Sequence, residues 1–123
     1  MDMINLKFNV TDENIDDIVA TALEGGINYW CDRAKVKDKD YKGAEYASDV
    51  VSKGGTLLLI NDMDEDGSEL SKESLIAGVQ MYMEKNGADI IDFEAKEIDC
   101  GNVDAEVADI IIQYAVFKEL VYS

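Results

Sequence analysis

The residues whose spacing could do chemistry lie between positions 62 and 73. Asp62, Asp64 and Asp66 alternate, Gly67 follows, and Glu73 stands after five intervening residues, the ligand spacing of a calcium-binding loop. In such a loop the alternate carboxylates converge on one ion, the glycine permits a sharp turn, and the final glutamate closes the site with both oxygens. Two features oppose that reading. The eighth loop position, which calcium loops fill with an apolar residue, is Glu69, and Gly54-Gly55 before the aliphatic run 57–60 argues for a strand where the motif needs a helix. The expectation is an exposed acidic hairpin turn with no metal site.

Other reaction chemistries are thinly supplied. The chain has no His, which removes Ser-His-Asp and Cys-His catalysis, and its only cysteines, Cys31 and Cys100, cannot assemble the usual zinc sites. Both read as small hydrophobes of a reducing compartment rather than as a disulfide. Glu24, beside Gly25-Gly26, is a lone carboxylate with no identifiable partner. Asn28, Tyr29 and Trp30 offer an aromatic patch, but a single Trp beside a glycine pair reads first as core. A non-enzymatic protein without a cofactor is expected.

Charge is the strongest global signal: 27 acidic residues stand against 11 basic ones, a formal net charge of −16. Such a surface repels phosphate, so neither nucleic acid nor an anionic membrane is an expected direct partner. It suits a protein with a basic, nucleic-acid-binding groove. The candidate partner-binding residues are Asp12, Glu13, Asp16 and Asp17 in one series, and Asp62, Asp64, Glu65, Asp66 and Glu69 in the other. The plain alternative is a solvated face that serves solubility.

The elements that must position these residues follow from periodicity. Ile4, Leu6, Phe8 and Val10 alternate with polar residues as in a half-buried strand. Thr11 then caps an amphipathic helix with Ile15, Ile18, Val19, Ala22 and Leu23 inward, Asp12, Glu13, Asp16 and Asp17 outward, and an end at Gly25-Gly26. Residues 27–36 read as extended, 35–42 as a mixed-charge loop, and 44–52 as a short helix. The run 56–60 is the best central strand, with 68–70 returning as its hairpin partner. Ser71 caps a helix bearing Leu75, Ile76, Val79, Tyr82 and Met83, and Asn86-Gly87 closes it. Residues 88–100 read as irregular, anchored by Ile90, Ile91 and Phe93. Asp104 opens a last helix with Val107, Ile110, Ile111 and Tyr114 inward, and 120–122 reads as a final strand. The expected architecture is one α+β domain over 1–123, a mainly antiparallel sheet packed against three to four helices. With 47% apolar residues it has material for a core. No apolar run is long enough to span a membrane, and Met1–Asn5 has no basic, signal-like region, so the cytoplasm is the expected location.

Several blocks carry a resemblance together: 16–31, with Leu23-Glu24-Gly25-Gly26-Ile27-Asn28-Tyr29-Trp30-Cys31 its most specific part, then Glu45-Tyr46-Ala47-Ser48-Asp49, Lys53-Gly54-Gly55-Thr56-Leu57, and Asp104–Asp109 with Ile112-Gln113-Tyr114-Ala115. Over nearly its whole length the chain resembles small acidic proteins of phages, prophages and other mobile elements of Firmicutes and gut bacteria. That resemblance carries no catalytic or binding residues over. What it implies is an accessory protein of a mobile element, and so an inhibitor of a host nucleic-acid-processing defence in the host cytoplasm. On this reading it is an anti-CRISPR-like DNA mimic, whose partner would be a host defence protein such as a Cas effector. Two other readings stay open: an accessory or structural module that forms a homodimer or binds a replication protein, and a calcium-binding regulator acting through 62–73.

Overall fold

The computed structural model describes residues 7–123, so Ile4 and Leu6 of the expected first strand lie outside the described residues. Within it, Phe8 and Val10 lean on the core, and Asn9 makes a single parallel bridge to Glu97. Helix α1 (Asp12–Thr21) starts where Thr11 sets it: the Thr11 side chain accepts the Asn14 N–H at 3.0 Å, and the Asn14 side chain accepts the Thr11 N–H in return. The helix then widens into a π-helical turn, Ala22–Gly26, in which the Ile27 N–H donates to the Ala22 carbonyl. Gly26 is required there, because a Cβ on it would lie 2.6 Å from the Ala105 carbonyl oxygen.

The expected strand at 27–36 is shorter than its aromatic content suggests. Residues 27–31 continue as turns, with the Trp30 and Cys31 N–H groups both returning to the Ile27 carbonyl, and they bury Ile27, Trp30 and Cys31. Only Arg33–Val36 forms strand β1. It pairs antiparallel with β2 (Leu57–Asn61), which pairs antiparallel with β3 (Asp64–Leu70), so the aliphatic run is central as expected. The presumed helix at 44–52 is a short 3-10 turn, Ala47–Asp49, running into a turn that buries Val50 and Val51.

The acidic segment differs most from expectation. Asp64, Glu65 and Asp66 belong to a strand, and the turn between β2 and β3 is only Asp62-Met63. The register slips between Leu59 and Asn61, and Gly67, at φ +78°, lets the bulged strand close over Ile60, which is buried. This geometry also removes the helix that a calcium loop needs upstream.

Helix α2 (Lys72–Asn86) is capped by Ser71, whose side chain accepts the Ser74 N–H. Leu75, Val79 and Tyr82 are buried, whereas Ile76 faces outward and Gly78 takes its place against the core. Residues 88–100 are less irregular than expected: β4 (Ile91–Asp92) and β5 (Glu97–Ile98) form a second antiparallel pair, with Phe93 edge-on to Phe8. Helix α3 (Ala105–Phe117) is capped by Asp104. It is buried almost all round, adding Ala108, Asp109, Ile112, Gln113 and Ala115 to the expected Ile111 and Tyr114, while Val107 and Ile110 are only half-buried. The segment 120–122 forms no strand; it is an irregular tail docked on Trp30. The protein is thus a small α+β domain with two small antiparallel sheets rather than one.

The α2–α3 contact depends on a missing side chain. A Cβ on Gly78 would lie 2.6 Å from the Ile111 carbonyl oxygen and 2.9 Å from the Ala115 Cβ, whereas one on Gly25 meets nothing within 4 Å. Gly78→Ala is expected to destabilise the fold by about 1–3 kcal/mol in urea unfolding, and Gly25→Ala to leave it unchanged or slightly stabilised.

Candidate functional site

The structure places the two acidic series apart. Asp12 and Glu13 are exposed in the first turn of α1, where carboxylates favour the helix N-terminus, and Asp17 is exposed one turn on. Asp16 departs from the expected outer face: it is half-buried, and its Oδ1 is shielded without a hydrogen-bond partner among the described residues. Asp12 pairs with Lys72 at 2.9 Å, just where β3 runs into α2. Asp62, Asp64, Glu65 and Asp66 lie at the other end of β3, roughly 20 Å of strand away at about 3.3 Å per residue. All four are exposed, and none forms an ion pair among the described residues. Glu69 is bound to Lys37. No group of three metal-ligating side chains converges among the described residues, so the 62–73 pattern does not gather its carboxylates.

The cations are segregated too. Arg33, Lys35, Lys37, Lys39 and Lys42 hold five of the chain's 11 positive charges within ten residues, on β1 and the loop after it. They flank the sheet on the side opposite β3.

A second site was not visible in the acidic patterning. Asp109, in the middle of α3, is only 7% exposed and makes no ion pair among the described residues. Three neutral donors surround its carboxylate: the Tyr29 hydroxyl at 2.5 Å, the Trp30 Nε1–H at 2.8 Å and the Gln113 Nε2–H at 2.9 Å. A buried carboxylate is tolerated when it is hydrogen-bonded in this way, and the shortness of the tyrosine contact fits a charge-assisted bond. Gln113 is fully buried and saturated. Its Nε2 also donates to the Tyr122 carbonyl at 3.1 Å, and its Oε1 accepts the Val121 and Tyr122 N–H groups at 2.9 and 2.8 Å. Tyr122 then stacks on Trp30, ring centroids 5.3 Å apart and nearly parallel, with Phe117 tilted against both.

Asp109 and Tyr29 also line a cleft of about 350 Å³ between the π-helical turn and the start of α3, together with Gly25, Gly26, Ala105, Glu106 and Ser123. Tyr29 is 55% exposed, its ring forming the wall and its hydroxyl turned inward. Desolvation of that hydroxyl, then the bond to Asp109 and its negative charge, push the Tyr29 phenol up to about 12, with Gln113 acting the other way. Burial likewise raises the thiols of Cys31 and Cys100, which leaves them weak nucleophiles. Trp30 belongs to the core, and Glu24 is exposed. One sequence signal pointed to the Asp109 network. A helix apolar on every face is a buried helix, so the acid and amide it carries four residues apart must be buried and paired.

Compared with known proteins, the chain matches no family model, no curated protein and no solved structure. No function is therefore carried onto these residues from a relative.

Because the folded state holds the Tyr29 proton more tightly than the unfolded chain, the stability this linkage provides is complete below pH 10 and is lost as pH rises towards 12. Ultraviolet titration is expected to show one tyrosine ionising near 12, and Asp109→Asn to bring it back towards the ordinary value.

Proposed function

We propose that this protein is a non-enzymatic inhibitor that occupies the basic nucleic-acid-binding groove of a host defence protein in the host cytoplasm, in the manner of an anti-CRISPR DNA mimic. The observation that carries this reading is that the carboxylates at the β2–β3 hairpin, Asp62, Asp64, Glu65 and Asp66, are exposed and form no ion pair among the described residues, in a chain of net charge −16. Five of the chain's 11 cations are gathered on β1 and the loop after it instead. Carboxylates fixed on a strand keep a set spacing, and a Lys/Arg-lined channel built for phosphates would meet them with complementary potential. Asp12, Glu13 and Asp17 add a second acidic surface, from which a partner would have to displace Lys72 to reach Asp12. The resemblance to accessory proteins of mobile elements supports the same reading.

Self-association is the second reading, favoured by one observation. The edge strands of the three-stranded sheet carry opposite charge, Arg33 and Lys35 on β1 against Asp64, Glu65 and Asp66 on β3, so copies could add edge to edge. Such assembly would show as a mass that grows with concentration.

The test is affinity capture from lysates expressing CRISPR effectors, washed across a salt series. A Cas nuclease or surveillance complex is expected, released by high salt or by target DNA. The D62K/D64K/D66K variant is expected to lose about tenfold or more in association rate at low salt with its thermal stability kept. An effector bound equally well by the variant would refute mimicry by this hairpin.

A further inference from the structure

The cleft beside α3 is an acidic, aromatic-walled cavity that the acidic faces do not use. It is floored by a nine-tenths-buried carboxylate, Asp109, whose three hydrogen-bond donors are all neutral, so its charge is met by no cation among the described residues. A carboxylate offers about four acceptor sites, and three are filled. Glu106 adds a second, exposed carboxylate at the rim, and the half-exposed Tyr29 ring stands as one wall. Gly25 also lines the cleft, and a Cβ there would meet nothing within 4 Å, so the lining is open at that residue, whereas Gly26 is packed on the Ala105 carbonyl. The N-terminal end of α3 lies nearby, but Asp104 already accepts its Val107 N–H.

We propose that this cleft is a binding subsite for a guanidinium group, an arginine side chain of a protein partner. A guanidinium is planar, stacks on an aromatic face, and forks its N–H groups towards carboxylates, which matches a Tyr29 wall with Asp109 below and Glu106 at the mouth. The volume of about 350 Å³ accommodates one such side chain. The inference rests on the reading of a basic partner only for the source of the arginine; the subsite itself belongs to this chain alone.

Nα-acetyl-arginine amide is the probe, and Trp30, the chain's one tryptophan and a hydrogen-bond partner of Asp109, is the reporter. Titration is expected to give a saturable change in Trp30 emission with a Kd of about 1 mM, and amide shifts at Gly25, Gly26 and Tyr29 in NMR. The citrulline counterpart, equal in shape but uncharged, is expected to bind at least about tenfold more weakly. Glu106→Gln, an exposed change that spares the buried network, is expected to weaken arginine binding several-fold, while D62K/D64K/D66K leaves it unchanged. The absence of saturable binding, or equal binding of citrulline, would overturn the proposal. Capture of a basic partner by a protein whose cleft ignores arginine amide would overturn it too and leave the acidic-face reading standing. Arginine binding without any captured partner would do the reverse.

Discussion

The arrangement of this protein depends on one buried polar pair, Asp109 and Gln113, one helical turn apart on α3. Together they join three segments that share no regular secondary structure: the Tyr29-Trp30 corner, the helix itself and the 120–122 tail. Apolar packing alone is non-directional and would let a short tail slide over the aromatic surface. A saturated amide accepts from two successive backbone N–H groups only in one register, so Gln113 fixes where Tyr122 meets Trp30. The cost is a buried carboxylate, offset by three donors and made possible by the close approach of Gly26 to Ala105. That same approach shapes the cleft beside α3, so the device that holds the fold together also sets Asp109 at its floor.

Charge is distributed by a different logic. The acids of α1 and β3, Asp16 apart, sit on exposed turns, edges and helix faces, and most form no ion pair among the described residues. The sheet separates acid-rich β3 from cation-rich β1 by one apolar strand, which keeps the two from neutralising each other across its face, apart from the Lys37–Glu69 pair.

Much of the fold was legible locally. Thr11, Ser71 and Asp104 cap their helices as their types require, and the aliphatic run 57–60 is the central strand, because caps and continuous apolar runs act within a few residues of themselves. Features set by distant contacts were not legible. Residues 27–31 curl because Ile27, Trp30 and Cys31 are drawn into the core, overriding the strand preference of their side chains. Asp64–Asp66 form a strand because the Gly67 bulge closes over Ile60, although the acids themselves suggest a turn. Leu120-Val121-Tyr122 carries strand-like residues but is tied by a side-chain amide in place of a neighbouring strand. The acidic candidates were found from composition, and Asp109 was missed because a single acid in an apolar helix looks like an interruption of the pattern rather than its centre.

A buried side-chain amide, not a sheet, secures the C-terminal segment and with it the Tyr29–Trp30–Asp109 corner. Backbone amide exchange measured by NMR tests it most directly. The Val121 and Tyr122 N–H groups are expected to exchange as slowly as those in the middle of α3, while the neighbouring Glu119 and Leu120 exchange fast. Exchange of Val121 and Tyr122 at the rate of an open chain would mean that Gln113 does not hold the tail, since nothing else in the described structure accepts their hydrogen bonds.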